Sequence, residues 1–202
     1  MGQGGPPGGM GRRGNGGCNE RAGSRQKATT RQTRDLGIES TFEYGSRVGT
    51  WRILDLFDEF GAKATIFACG RALERNPLVA RAFAARGHEV AGHGYRWVDH
   101  FRMEEDFERD QIRLAVASIA ETTSQRPFGW YCRYAPSVNT RRLLVEEGGF
   151  LYDCDSYADE VPYWVKVGDT HQLIVPYQLD ANDAKFFRGP GWSGAREFGD
   201  YL

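Results

Sequence analysis

Apolar and polar positions from Asp35 onward switch repeatedly between helical and strand spacing. The apolar stripe from Val48 to Phe60 has helical spacing, which predicts a helix that Ser46 caps and Gly61 ends. The pair Asn76-Pro77 predicts the start of a second helix, which ends at Gly87. Short apolar runs predict five strands, and amphipathic stretches predict two further helices. The strands are expected at 64–68, 88–92, 128–132, 150–154 and 173–179, and the further helices at 104–123 and 140–147.

This alternation of strands and helices predicts an α/β fold with a parallel sheet or barrel covered by helices. In such folds polar side chains that follow the strands converge at one edge of the sheet, where chemistry gathers. Any single acidic residue at the end of a strand can instead be a solvated turn residue. The candidate site residues at or after the ends of predicted strands are His93, Arg133, Pro136, Asp153, Asp155, Asp180 and Asp183.

Composition narrows the class of protein without defining a function. The chain has 202 residues, a formal net charge of -1 and 13% aromatic residues, enough for one domain with a substantial core. No apolar run approaches the ~18 residues that a membrane span needs, so we expect no membrane partner. Four cysteines without a C-x-x-C pair favour reduced thiols, an intracellular protein and a cytoplasmic location.

The segment from Met1 to Arg34 differs from the rest of the chain. It is rich in glycine and arginine, has few apolar residues, and contains Glu20 as its one acid. Such a composition cannot bury enough apolar surface to offset the entropy of ordering, which predicts a disordered tail. A solvated tail is favoured over a targeting segment. A nucleic-acid-binding arm is disfavoured because the segment has no aromatic residues to stack on bases.

Several motifs in the rest of the chain resemble one known superfamily. They are the stretches 39–49 (Glu39-Ser-Thr-Phe to Gly49), 93–97 (His93-Gly-Tyr-Arg-Trp97), 133–140 (Arg133-Tyr-Ala-Pro to Thr140), 146–153 (Glu146-Glu-Gly-Gly to Asp153) and 162–164 (Pro-Tyr-Trp). Together they resemble the polysaccharide deacetylase superfamily, also called the NodB homology superfamily. Within it the chain is most similar to the metal-independent allantoinases.

This resemblance implies a NodB-like β/α barrel and a hydrolase of carbon–nitrogen bonds outside peptides. Deacetylases of the superfamily hold a divalent metal with an aspartate and two histidines spaced four residues apart. His93 matches the first histidine and Trp97 stands where the second would be. The resemblance therefore implies a site without a metal, and we expect no cofactor. It also implies that Glu39 and Glu43 line the substrate pocket.

The candidate residues divide into catalytic and substrate-binding groups. His93 is the candidate general acid or base because the ordinary pKa of histidine lies near neutrality, although a core histidine is the plain alternative. Asp180 and Asp183 are candidates to orient His93 or activate water, or they serve only as turn caps. We expect His88 to be structural, and His100 and His171 to lie on the surface or in loops. The predicted substrate-binding residues are Glu39, Glu43, Trp97, Arg133, Pro136 and Asp155.

Two departures from the superfamily pattern predict an incomplete or distorted barrel over residues 35–202. The glycine- and arginine-rich tail stands where the family has a first strand with an acidic motif, and the family's late histidine motif is missing. Three functions therefore stay open. The first is opening of allantoin to allantoate, the second is deacetylation of an N-acetylated glycan, and the third is a non-catalytic fragment. The expected partner is thus a small ureide or an N-acetylated sugar; whether the chain forms a homo-oligomer is left open.

Overall fold

The computed structural model describes residues 34–133, 135–186, 189 and 191–202. The predicted disordered tail lies outside the described residues except for Arg34. The elements below belong to one compact unit, Leu36–Leu202. Its α-helices are α1 (Leu36–Tyr44), α2 (Thr50–Glu59), α3 (Gly70–Arg75), α4 (Pro77–Ala85), α5 (Glu105–Thr123), α6 (Thr140–Glu147) and α7 (Ala195–Tyr201). A π-helical turn, Gly45–Gly49, joins α1 to α2, and short 3-10 helices cover His100–Arg102 and Asp183–Phe186.

A six-stranded sheet forms the centre of the fold. Its order is β1-β2-β3-β4-β6-β5; the pairs from β1 to β6 are parallel and the edge strand β5 is antiparallel to β6. The predicted α/β class with a parallel sheet is therefore confirmed. The strands are β1 (Thr65–Ala68), β2 (Glu89–Gly92), β3 (Gly129–Trp130), β4 (Tyr152–Asp153), β5 (Tyr163–Val167) and β6 (Thr170–Ile174).

Two apolar clusters pack the helices against the sheet. The first surrounds Val90 of β2 and joins Leu54 of α2, Phe83 of α4 and Ile119 of α5. The second surrounds Trp130 of β3, which is fully buried, and joins it to Cys132, two residues later, and to apolar residues of α5 and α6. Because helices cover this side at β2 and β3, the side chains that alternate with Val90 and Trp130 project from the opposite side of the sheet.

The first helix begins earlier than the sequence predicts. Ser46 does not cap it: the helix starts at Leu36, and Ser46 lies in the π-helical turn, where its hydroxyl donates to the Glu43 carbonyl at 3.1 Å. Leu36, Ile38 and Phe42 are each more than half exposed. The segment therefore lacks the buried stripe from which a helix is recognised in a sequence.

The last predicted strand is also wrong in its bounds. β6 ends at Ile174 rather than continuing to Leu179, and the sequence analysis missed its partner β5. The two strands form a hairpin whose loop is Gly168-Asp169, with Gly168 at a φ of 58°. β5 escaped recognition because it is an edge strand in which no residue is fully buried and Trp164 is largely exposed.

Candidate active site

Three predicted residues follow neighbouring parallel strands at the same edge of the sheet. His93 comes directly after β2, Arg133 three residues after β3, and Asp155 two residues after β4. Parallel pairing brings these strand ends together, as the sequence predicts. The structure nevertheless places the side chains of His93 and Asp155 in two different cavities.

The His93 imidazole is fixed in orientation by the neighbouring strand. Its Nδ1 lies 2.5 Å from the carbonyl oxygen of Tyr131, and its ring stacks on the Tyr131 ring with centroids 5.4 Å apart. Because a carbonyl oxygen can only accept, Nδ1 carries the proton and Nε2 presents its lone pair. Burial lowers the pKa of His93, against the opposing effect of the Tyr131 hydrogen bond; the charges of His100 and Arg133 lower it further. The hydrogen bond thus fixes the tautomer, and the lowered pKa favours a neutral imidazole whose Nε2 can accept a proton.

Trp97 and Arg133, both predicted to bind substrate, contact each other beside His93. The Arg133 guanidinium carbon lies 4.0 Å from the centroid of the Trp97 ring, and Nη1 donates to Oδ1 of Asp99 at 2.7 Å. The positive charge of Arg133 is close enough to lower the pKa of His93. At Cys69, burial raises the pKa of the thiol to about 11, and the positive charge of Arg133 acts in the opposite direction.

A cavity of about 730 Å³ opens beside His93 along the outer edge of β1. His93, Cys69 and Trp97 line it from one side, and Phe42 of α1 and Ser46 of the π-helical turn line it from another. Three arginines, Arg71, Arg75 and Arg96, also line this cavity and make it basic. The cavity therefore combines apolar walls, a basic lining and one imidazole.

Asp155 and Pro136 lie in a different cavity, of about 230 Å³, between the sheet and α6. Oδ1 of Asp155 accepts from the Cys132 backbone at 2.9 Å, whereas Oδ2 is buried without a hydrogen-bond partner among the described residues. Burial raises the pKa of Asp155 to about 6. Asp153, two residues earlier, projects to this side as well and is held by Arg141 through two hydrogen bonds of 3.0 Å. This arrangement places Asp155 among helix-facing residues and not in the His93 cavity.

The remaining predicted acids are exposed, apart from Glu39. Asp180 is exposed beyond the end of β6, where its carbonyl accepts from Lys185 at 2.5 Å, and Asp183, also exposed, begins a 3-10 helix. Glu43 is exposed on α1 and pairs with Arg47 at 3.4 Å, while Glu39 is half-buried on the same helix. Among the residues described as lining the two cavities, none of these four acids appears. Their roles in catalysis and binding stay predictions.

A group of tyrosines that includes Tyr131, the neighbour of His93, was not predicted from the sequence. The rings of Tyr131 and Tyr177 stack with centroids 4.6 Å apart, and the hydroxyls of Tyr131 and Tyr157 lie 2.7 Å apart. Strand alternation next to the buried Trp130 could have placed Tyr131 on the side of His93. His100, expected on the surface or in a loop, begins the short 3-10 helix His100–Arg102 between β2 and α5 and is fully buried. His88, predicted to be structural, is buried near the start of β2 and accepts from the Ala64 backbone at 3.2 Å.

The side chains around His93 do not fit the metal site of the deacetylases. The part of the chain that the structure describes holds no group of three or more His, Cys, Asp or Glu residues placed to bind an ion. The position four residues after His93 is an indole, and the guanidinium of Arg133, whose charge lowers the pKa of His93, would repel a divalent cation. The described residues thus offer one imidazole and a cation where a metal would need several anionic or neutral ligands.

Comparisons with known proteins agree with this architecture. The sequence profile of the family described as "Polysaccharide deacetylase" matches residues 30–151. A protein of Schizosaccharomyces pombe, provisionally named a polysaccharide deacetylase, is 38% identical over 187 residues, which cover 85% of this chain and 58% of that protein. The chain therefore spans a little over half the length of this curated relative.

Two solved structures are similar to the fold. The crystal structure of PuuE allantoinase superposes with a TM-score of 0.78 at 46% identity, covering 85% of this chain and 57% of that one. The structure of a protein from Pseudomonas aeruginosa PAO1, also provisionally named a polysaccharide deacetylase, gives a TM-score of 0.77 at 45% identity, covering 84% and 57%. Fold and comparisons define a mixed α/β protein of the NodB-like barrel class. The chain belongs to the polysaccharide deacetylase family.

Proposed function

We propose that the protein is a hydrolase of non-peptide carbon–nitrogen bonds that opens the ring of allantoin to give allantoate. The observation that carries the proposal is the state of His93: Nδ1 is bonded to the Tyr131 carbonyl, so Nε2 can act as a base. The site beside it contains Trp97 and Arg133 in place of a metal centre. The similarity to a solved allantoinase supports the choice of a cyclic ureide.

The proposed reaction uses side chains for each proton and charge. Nε2 of His93 takes a proton from water, and the resulting hydroxide adds to a ring carbonyl of the ureide. Arg133 supplies positive charge to stabilise the oxyanion as it develops. The imidazolium then returns the proton to the departing nitrogen as the carbon–nitrogen bond breaks. One water is consumed, and the products are a carboxylate and a free ureide nitrogen after the final proton transfers.

The lowered pKa of His93 gives this mechanism a definite pH dependence. The imidazole must be neutral to act as a base, and burial keeps it neutral below the ordinary histidine pKa. We expect kcat/KM to decline on acidification only below pH ~6.5, a range in which a solvent-exposed histidine is already protonated.

The test is allantoate formation by the wild-type chain, by His93→Gln and by a control, His88→Gln. His93→Gln should lower kcat by ~10²-fold or more, the usual scale for loss of a general base. His88 is buried near the other end of β2, so its replacement should lower the melting temperature and change kcat much less. Equal turnover by His93→Gln and wild type would remove His93 from the mechanism.

Deacetylation of an N-acetylated glycan is the second candidate. The name of the Schizosaccharomyces pombe relative and the size of the cavity, about 730 Å³, favour it. Its test is acetate release from N-acetylglucosamine oligomers, measured with and without added zinc. Acetate release without allantoate formation would select this function. Turnover of neither substrate by a folded protein would favour the third alternative, a non-catalytic fragment.

A further inference from the structure

A carboxylate and an imidazole are buried together beneath the loop that follows His93. His100 and Glu108 have fully buried side chains, and Nδ1 of His100 lies 3.1 Å from Oε1 of Glu108. Burying a carboxylate is costly unless hydrogen bonds satisfy it. Ser137 donates to Oε2 at 2.5 Å and Thr140 donates to Oε1, so three side chains hold this one acid. Burial alone would raise the pKa of Glu108, but these hydrogen bonds together lower it.

The cluster connects three segments at the active-site edge of the sheet. Glu108 belongs to α5, His100 to the short 3-10 helix that ends the loop after β2, and Ser137 to the loop after β3. Ser137 in turn accepts from the backbone of Asn139 at 2.9 Å, beside the first turn of α6. The single carboxylate of Glu108 therefore fixes both loops to the helix layer.

The opposite side of the His100 ring packs against the residue that follows His93. Gly94 has a φ of 88°, and a Cβ there would lie 3.0 Å from Nε2 of His100. On the other side, the carbonyls of Gly94 and Tyr95 accept from the backbones of Gly70 at 3.1 Å and Arg71 at 2.9 Å. The backbone after His93 is thus held between α3 and the His100 imidazole.

The same loop carries two residues that contact Arg133. Asp99, directly before His100, accepts from Arg133, and Trp97 lies under its guanidinium. A displacement of His100 would therefore move the contacts of Arg133 as well as the backbone beside His93.

We propose that His100, anchored by Glu108, is a positioning residue that holds the loop from Gly94 to Asp99 so that His93 and Arg133 keep their relative geometry. The consequence for turnover rests on the proposed hydrolase function. The structural consequence, a loop closed against α3, does not. The alternative is that His100 merely fills space in the core next to Trp130, whose ring it meets edge-on at 5.7 Å.

The experiment compares His100→Phe, which fills the space without donating to Glu108, with His100→Asn, whose amide can replace the Nδ1 donor. His88→Phe and His88→Asn are matched controls at another buried histidine. The main measurement is amide hydrogen exchange at Gly70 and Arg71, the donors to the loop carbonyls, relative to the amides of β2. The second is the division of any activity loss between kcat and KM.

His100→Phe should lower protection at Gly70 and Arg71 by about tenfold relative to β2, since a hydrogen bond to a charged group is lost. His100→Asn should restore most of it. If the protein turns over either substrate, His100→Phe should lower kcat more than it raises KM, because the reacting groups lose their alignment. Without turnover, the exchange comparison alone decides the positioning proposal.

Unchanged protection in His100→Phe, or an even loss at Gly70, Arg71 and β2 like that of the His88 variants, would show that His100 only fills the core. Failure of His100→Asn to restore protection would also overturn the proposal. Should His100→Phe not fold, Glu108→Gln takes its place with the same expected loss at Gly70 and Arg71. Loss of activity in His93→Gln with wild-type exchange in His100→Phe would separate the two proposals.

Discussion

The guanidinium carbon of Arg133 lies 4.0 Å from the centre of the Trp97 ring, while Nη1 of the same residue donates to Asp99. The ring is half exposed and the guanidinium largely buried. Trp97 therefore holds a cation next to His93, at the position where the deacetylase pattern has a second histidine. Tryptophan in place of this second histidine thus favours a positive charge over a metal ion beside His93, the candidate base.

Arg133→Lys should separate the contribution of the planar guanidinium contact to stability from the contribution of its positive charge. Lysine keeps the charge but loses the planar fork that contacts Trp97 and Asp99, so we expect the free energy of unfolding to fall by about 1–2 kcal/mol. Urea denaturation measures this. Arg102→Lys is the matched control, because Arg102 is exposed and lies over Phe101 at 4.9 Å. An equal effect at both sites would mean that the Trp97 contact has no special strength.

The purified protein should hold no stoichiometric zinc. Its described residues place an indole and a guanidinium beside His93, and neither is a zinc ligand. Elemental analysis should find well below one metal per chain, and chelation should leave the melting temperature unchanged, since a bound metal stabilises the folded state. About one zinc per chain, lost together with activity on chelation, would overturn this expectation.

Local signals in the sequence predicted much of the fold, because the stop and start residues act within one or two turns. Asn76-Pro77 begins a helix at Pro77, and Gly61 and Gly87 follow helices with φ values of 60° and 72°. β5 and the true end of β6 could not be predicted, because their bounds depend on which strand pairs with which. Edge exposure of Trp164 further hid the strand pattern.

The candidate site was less accessible to sequence reasoning than the fold. His93 could be found because glycines flank it at a strand end. The side on which Asp155 projects could not, because β4 pairs over only two residues and the alternation beyond its end needs the fold. His100 appeared to be a loop residue, and its burial depends on Glu108, eight residues later on another element.

Removal of Met1 to Arg34 should leave the stability of the rest nearly unchanged. The segment has few apolar residues with which to contribute to a core. The melting temperatures of the full chain and of the chain without this segment should agree within a few degrees. A large drop would show that the segment packs against the folded part.

Gly92→Ala should destabilise the fold strongly. Gly92 pairs with Trp130 in the sheet, and a Cβ there would lie 2.7 Å from Cζ3 of the indole and closer still to Cε3. Because Trp130 is fully buried and cannot move away cheaply, we expect a loss of ~1–3 kcal/mol, as in other overpacked cores. Gly45→Ala is the control, since a Cβ there meets no atom within 4 Å and alanine favours a helix. Thermal unfolding of both variants checks the contrast.

Relative to wild type, Asp155→Asn should gain stability against unfolding as the pH rises. Burial raises the pKa of Asp155 from 3.8 to about 6, so the folded state binds this proton more tightly than the unfolded state. The stabilisation is fully present below pH ~3.8 and is lost as the pH rises through about 6, where the buried carboxyl must ionise.

Asparagine stays neutral and can still accept from Cys132. The difference in unfolding free energy, variant minus wild type, should therefore grow by ~2 kcal/mol between pH 4.5 and 8. All other groups titrate in both proteins, so their contributions cancel in this difference. Val138→Ala, at a fully exposed position that lines the same cavity, controls for the effect of a substitution at this cavity. A difference that stays constant from pH 4.5 to 8 would mean that Asp155 ionises as readily in the folded chain as in the unfolded one.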